Sequence, residues 1–223
     1  MIDERTRTEV QRLCTHVLAR ERFGRTGRIG LTWTGRGIGT DRLWLDGDGL
    51  HRSPDGADGG DGGDGGDGAD ADGPGRPVTT LADAAELAGV DLDSPFSVGH
   101  DTPPVGDARA PITIDPAALA ELLAFFARSW ALLTVLADGA PVTLWPEHFD
   151  AAFVWRERAN VGASPGDDGV PDPYVYVGPW GPERPGPARL WNAPFGAVVD
   201  AGRTDTEIVA FVRDRLDALD RKA

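Results

Sequence analysis

The sequence predicts an α+β fold: a mostly antiparallel sheet or sheets, packed helices near both termini, and one long buried central helix. Three observations carry this. Strand-like stretches follow one another in runs joined by short turns, helical periodicity marks the two ends, and an uninterrupted apolar helical pattern lies between. At 223 residues with seven Trp and eight Phe, the chain has the mass and the large apolar groups for a real core.

The elements follow in order. Val10, Leu13, Cys14 and Val17 recur at i, i+3, i+4 and i+7, which predicts a helix over about 3–22. Ile29, Leu31 and Trp33 alternate with Gly30, Thr32 and Thr34, as a half-buried strand does. Gly35-Arg36-Gly37 turns the chain into a second strand over about 38–45, and Asp46-Gly47 is a hairpin signal leading to Leu50. Residues 54–77 then form an Asp/Gly-rich, low-complexity insertion, with Asp at 55, 58, 61, 64, 67, 70 and 72. With almost no apolar side chain to bury, it cannot offset its ordering entropy, and disorder is expected. Its spacing is not that of a calcium-binding EF-hand loop, which closes on a bidentate Glu. The segments 1–53 and 78–223 are expected to pack together as one domain around it.

After the insertion, Thr80 caps a short helix over 81–88 that Gly89 closes, and 90–111 reads as irregular. Asp115 caps the best-defined helix, with Pro116 at its first position and Asp138-Gly139 at its end. Leu119, Leu122, Leu123, Phe126, Trp130, Leu133 and Leu136 form one stripe, while Phe125, Leu132 and Val135 lie outside it. A helix so widely apolar belongs between layers or in a homodimer interface through 116–137. A β-meander follows, with strands expected at 142–145, 151–158, 174–177, 189–191 and 197–199. Thr204 and Glu207 form a capping box for a last helix whose inward face is Ile208, Phe211, Val212, Leu216 and Leu219.

Composition excludes several functions. With 36 Asp+Glu against 22 Lys+Arg, the formal charge is −14, which argues against a nucleic-acid or anionic-membrane partner. A single cysteine excludes a disulfide framework and a Cys-based zinc finger. The basic residues are almost all Arg, with Lys222 the one lysine, which reads as GC-rich codon usage. The apolar window 122–136 is interrupted by Arg128 and falls short of the roughly 20 residues a bilayer crossing needs. A soluble cytoplasmic protein, acidic and without a membrane partner, is expected.

Gly162-Ala163-Ser164-Pro165-Gly166 matches the G-x-S-x-G string of serine hydrolases, but the context fails. The oxyanion hole needs the N–H of the residue after the serine, and Pro165 has none. No histidine follows the serine either; the last is His148. The segment reads instead as a loop shaped by Gly and Pro. Cys14 sits on an apolar stripe and reads as core. Gly35-Arg36-Gly37-Ile38-Gly39 opens no helix after a strand, so nucleotide binding has no support and no cofactor is expected.

Glu147-His148-Phe149-Asp150 is the densest titratable cluster. On a strand, His148 and Asp150 would share a face, and with Asp167 they could offer nitrogen and oxygen ligands to a divalent metal. His148, with Asp150, is the first candidate for a catalytic base. Alternation puts Tyr174 and Tyr176 on one face of their strand, so Trp145, Asn160, Ser164, Asp167, Tyr176 and Trp191 become candidates to line a groove.

The strings LWPEHFD (144–150), NVGASPGD (160–167), YVYVGPW (174–180) and WNAPFGA (191–197), with TGRIGL (26–31), resemble a family of uncharacterised proteins from GC-rich bacteria, and more distantly a bacterial domain of unknown function. The resemblance implies no catalytic residue, only that the strings belong together around one site. The function expected is therefore binding of a small molecule or peptide. The alternatives are a metal-assisted hydrolase using His148, Asp150 and Asp167, and a homodimeric structural subunit.

Overall fold

The structure, a computed structural model, describes residues 2–53, 74–98 and 102–221. Helix α1 (Glu4–Leu13) starts on Asp3, whose carboxylate accepts the Thr6 N–H at 2.8 Å. It continues through a π-helical segment (Cys14–Ala19) into α2 (Arg20–Thr26), which Gly27 ends in the left-handed region at φ 71°. All six residues of the π segment are buried, polar Thr15 and His16 among them. A buried polar group needs a partner, and here the partners are backbone carbonyls of irregular chain. His16 Nε2 bonds Pro103 O at 2.6 Å, and Arg20 donates to Asp91 O and Ser94 O at 2.8 and 2.9 Å. The first helix thus fastens the loops around it.

Strands β1 (Thr32–Trp33), β2 (Ile38–Gly39), β3 (Leu43–Asp46) and β4 (Gly49–Arg52) form an antiparallel meander. The single strand expected over 38–45 is broken, because the Thr40 hydroxyl accepts the N–H groups of Arg42 and Leu43 and makes a turn there. Asp46-Gly47 does open a hairpin, with Asp46 paired to Gly49. The disorder expected for the acidic insertion falls largely on residues 54–73, outside the described residues. Residues 74–77 are placed, and the expected boundary at 77 is corrected by Arg76, which exchanges two 2.9 Å backbone bonds with Leu50.

The rest is α3 (Leu81–Ala88), α4 (Pro116–Ala137), a second antiparallel meander of β5 (Thr143–Trp145), β6 (Asp150–Trp155), β7 (Ala159–Ser164), β8 (Tyr174–Pro179) and β9 (Ala197–Asp200), and α5 (Asp205–Asp220). The fold is α+β. The caps are those the sequence marks: the side chains of Thr80, Asp115 and Thr204 each accept the expected N–H, and Glu207 completes its box. Two backbone bonds between Leu31 and Leu144, at 2.8 and 2.9 Å, join the two meanders, and one cluster of buried side chains runs through both.

Three expectations are corrected. The strand expected over 151–158 stops at Trp155, and Arg156 and Glu157 turn with φ of 47° and 52°. Residues 159–164, read as loop, form β7 at the centre of the sheet. The strand over 189–191 is instead a 3₁₀ turn (Ala188–Leu190), set off by Pro185 and Pro187. Helix α4 is partly buried. Leu122, Phe126 and Leu133 are fully enclosed, while Glu121, Ala124, Arg128, Ala131, Thr134 and Val135 face outward. Its 22 residues, with mean hydropathy 1.6 in the most apolar window, are long and apolar enough to cross a bilayer by length and composition. Here it packs against β6, β7, α1 and α5, an arrangement compatible with a soluble protein.

Candidate ligand pocket on the open face of the second sheet

Register decides which side chains meet. Trp145 pairs with Asp150, Ala152 with Gly162, Gly162 with Tyr176, and Ser164 with Tyr174. Because directly paired residues share a face and alternate residues return to it, one face carries Thr143, Trp145, Asp150, Ala152, Val154, Asn160, Gly162, Ser164, Tyr174 and Tyr176. The other carries Leu144, Ala151, Phe153, Val161, Ala163, Val175 and Val177, all buried in the core. Helices α4 and α5 pack on the second sheet. The polar and aromatic set is on the face opposite the core.

Asp150 is set by the turn before it. Phe149 adopts φ 53°, uncommon for a bulky residue, and its N–H bonds Trp145 O at 2.7 Å. Its ring is wedged edge-on against Phe126 at 5.3 Å, which holds that conformation. The first helix holds the same turn from the other side: Gln11 Nε2 donates to Glu147 O at 2.9 Å and Thr15 Oγ1 to Pro146 O at 3.1 Å. The exposed His148 lies in this turn, not on β6, so the shared strand face expected for His148 and Asp150 does not exist. The tight turn spends residues 146–149 on reversing the chain.

Asp150 is 7% exposed. Its Oδ2 accepts the Tyr176 hydroxyl, and its Oδ1 has no hydrogen-bond partner among the described residues. Oε2 of half-buried Glu147 is also buried without one. Burial pushes the Asp150 carboxyl up to about 6; the Tyr176 hydrogen bond and nearby His148 work against that, and Glu147 adds to it. Burial and the adjacent Asp150 charge push the Tyr176 phenol well above its ordinary range. One ring position along β8, the Tyr174 hydroxyl donates to Asp167 Oδ2 at 2.5 Å. Asp167 Oδ1 in turn accepts the N–H groups of Gly169 and Val170 at 2.7 and 2.8 Å. Asp167 is therefore a loop anchor with its oxygens taken.

Trp145, His148, Asp150, Asn160 and Tyr176 line one pocket of about 440 Å³, together with Thr143, Glu147 and Ala152. Ser164, Asp167 and Trp191 do not line it. Ser164, 2% exposed, closes β7 and accepts the Gly166 N–H at 3.2 Å. Trp191 donates to Pro185 O at 2.9 Å within the proline-rich loop. Among the described residues no three His, Cys, Asp or Glu side chains form a group that could hold a metal ion. His148, Asp150 and Asp167 therefore do not make the candidate metal centre: Asp167 is drawn off to Tyr174 and its own loop. A wider cavity of about 760 Å³ between α4, β8 and β9 is lined mainly by apolar groups such as Phe125, Leu132 and Val199, and its one cation, Arg128, is bonded to Ala201 O and Arg203 O.

Glu147 and Gly162 are the residues the sequence underplayed. A Cβ on Gly162 would lie 2.7 Å from both Ala151 O and the Tyr176 ring, so glycine is what lets that ring lie across β7. A glycine inside a strand is the sequence signal for such close approach. Gly162→Ala is expected to cost about 2 kcal/mol, the range for forcing atoms into packed space, and to move Tyr176 off Asp150. Urea unfolding measures the first effect; unchanged stability would show that the ring has room elsewhere.

Fold and geometry define a class: an α+β protein with a helix-backed antiparallel sheet whose other face carries a small carboxylate-floored pocket. Comparison with protein-family models, curated proteins and solved structures found no match.

Proposed function

We propose that the chain is a soluble, cytoplasmic small-molecule-binding protein and that the 440 Å³ pocket is its site. The observation that carries this is the Asp150 carboxylate, fixed by Tyr176 on one oxygen and unpartnered on the other inside a concave surface. Buried polar groups without partners are rare and costly, and this one belongs to a residue that lines a concave pocket a ligand can fill. The volume falls within the range of small-molecule sites. Asn160, whose Oδ1 is held by Trp180 Nε1 at 2.9 Å, and Trp145, 38% exposed, supply a polar wall and an aromatic one. The acidic, single-cysteine composition supports the cytoplasmic assignment.

The test is a thermal-shift screen of a small-molecule library on the full chain and on Ala152→Leu, which adds bulk to the pocket lining. A ligand at a hundred times its Kd stabilises by about 2.7 kcal/mol, or upward of about 5 °C for a chain of this size. Hits are expected on the parent protein and not on the filled variant. A library that shifts neither, or shifts both alike, defeats the reading.

A further inference from the structure

We infer that this pocket selects an organic cation, a small amine or amidinium, seated against Asp150 Oδ1 with its apolar part on Trp145. The inference rests on the binding reading above and adds the charge of the ligand. The sign comes from the lining: it holds two carboxylates, Asp150 and Glu147, each with a buried oxygen that has no hydrogen-bond partner among the described residues, its one basic side chain is His148, and no Arg or Lys lines it although the chain has 22 of them. An anion would meet repulsion from both carboxylates. A neutral ligand would leave the buried Asp150 carboxylate with only exposed His148 as a basic neighbour and with Glu147 still working against its charge.

The geometry refines the class. Tyr176 already occupies Asp150 Oδ2, so the carboxylate is held in one orientation and offers a single acceptor. That favours a donor with N–H groups to spare, and Glu147, lining the same pocket, is the second carboxylate they can meet. An amidinium or primary ammonium presents several N–H groups; a quaternary ammonium presents none. Trp145 lines the same pocket and is 38% exposed, giving an aromatic surface of the kind that attracts a desolvated cation. Burial that holds the Asp150 carboxyl above its ordinary range is the strain a bound cation would relieve.

Four probes decide it by calorimetric titration of the full chain: benzamidine and n-butylamine as cations, benzamide as the neutral isostere of the first, and benzoate as the anion. The cations are expected to bind at least tenfold more tightly than benzamide or benzoate. Asp150→Asn should weaken benzamidine tenfold or more and leave benzamide unchanged, and Ala152→Leu should abolish binding. If benzamide or benzoate binds as well as benzamidine and is lost in Ala152→Leu, the charge assignment is overturned while the pocket reading stands. If none of the four gives heat, the cation assignment falls, and a blank library screen takes the binding reading with it.

Discussion

Asp150→Asn is expected to stabilise the protein by about 3 kcal/mol at pH 8, and the gain should vanish near pH 4. The side chains are isosteric, and the Asn carbonyl can still accept the Tyr176 hydroxyl. What changes is the charge. Burial raises the folded-state pKa of Asp150 from 3.8 to about 6. Between those values the folded chain holds a proton that the unfolded chain has released. Stability from this group is therefore greatest below pH 3.8 and falls as pH rises through 6. Above that the ionised carboxylate costs about 3 kcal/mol, at roughly 1.4 kcal/mol per tenfold change in proton affinity.

Buried His16 has its pKa lowered by burial, and it loses stability in the opposite sense, as pH falls. Subtracting the two proteins' unfolding curves at each pH removes that contribution, since both retain His16. The titratable groups facing Asp150 are Glu147 and His148 from its turn and Tyr174 and Tyr176 from β8, and both proteins keep all four. A destabilised Asp150→Asn, or a gain that does not change between pH 4 and 8, would mean that the carboxylate is solvated and the pocket is ordinary surface. A positive result has a functional reading as well. A residue that weakens the fold in its native state is one retained for something other than folding.

Much of the frame was legible because its signals are local. A capping Thr, Asp or Ser side chain, a closing glycine and a 3.6-residue stripe act within one turn of chain, so Thr80, Gly89, Asp115 and Thr204 mark their helices directly. The pairing of Tyr174 with Tyr176 on one face was also legible, since alternation fixes it without knowledge of any neighbour. What failed was decided at long range. Residues 159–164 carry small side chains that suggest a loop, yet they are flanked by β6 and β8, and the approach of the Tyr176 ring is what requires Gly162. The turn over Arg156 and Glu157 contains no Gly, Asn or Pro, so nothing local announces its left-handed residues. Trp130 belongs to the apolar stripe but is only half-buried, while Leu132, off the stripe, is 8% exposed, because neighbours on two sides decide which part of a broad apolar surface is covered. In the site, the titratable cluster at 147–150 drew notice to Asp150. That His148 would be spent on a turn and Asp167 on Tyr174 depends on contacts no spacing reveals.

Phe126→Ala is expected to cost 3–5 kcal/mol, the usual range of about that size for emptying a buried aromatic site, and to weaken the pocket although Phe126 does not line it. Phe126 is fully buried, and its ring meets Phe125 at 5.2 Å and Phe149 at 5.3 Å, both edge-on. The second contact matters for function. Phe149 holds a left-handed backbone, disfavoured by about 1–2 kcal/mol, immediately before Asp150. With the wedge gone, Phe149 is free to relax into ordinary backbone, and Asp150 would then turn toward water. The pH-dependent gain from Asp150→Asn should accordingly shrink in the Phe126→Ala background, a non-additivity of the kind that contact between residues produces. Val135→Ala on the same helix, where the side chain is 72% exposed, is the control and should change stability by less than about 0.5 kcal/mol. If the Asp150→Asn gain persists in full when Phe126 is removed, the turn is held by Gln11 and Thr15 alone, and the core has no part in setting the carboxylate.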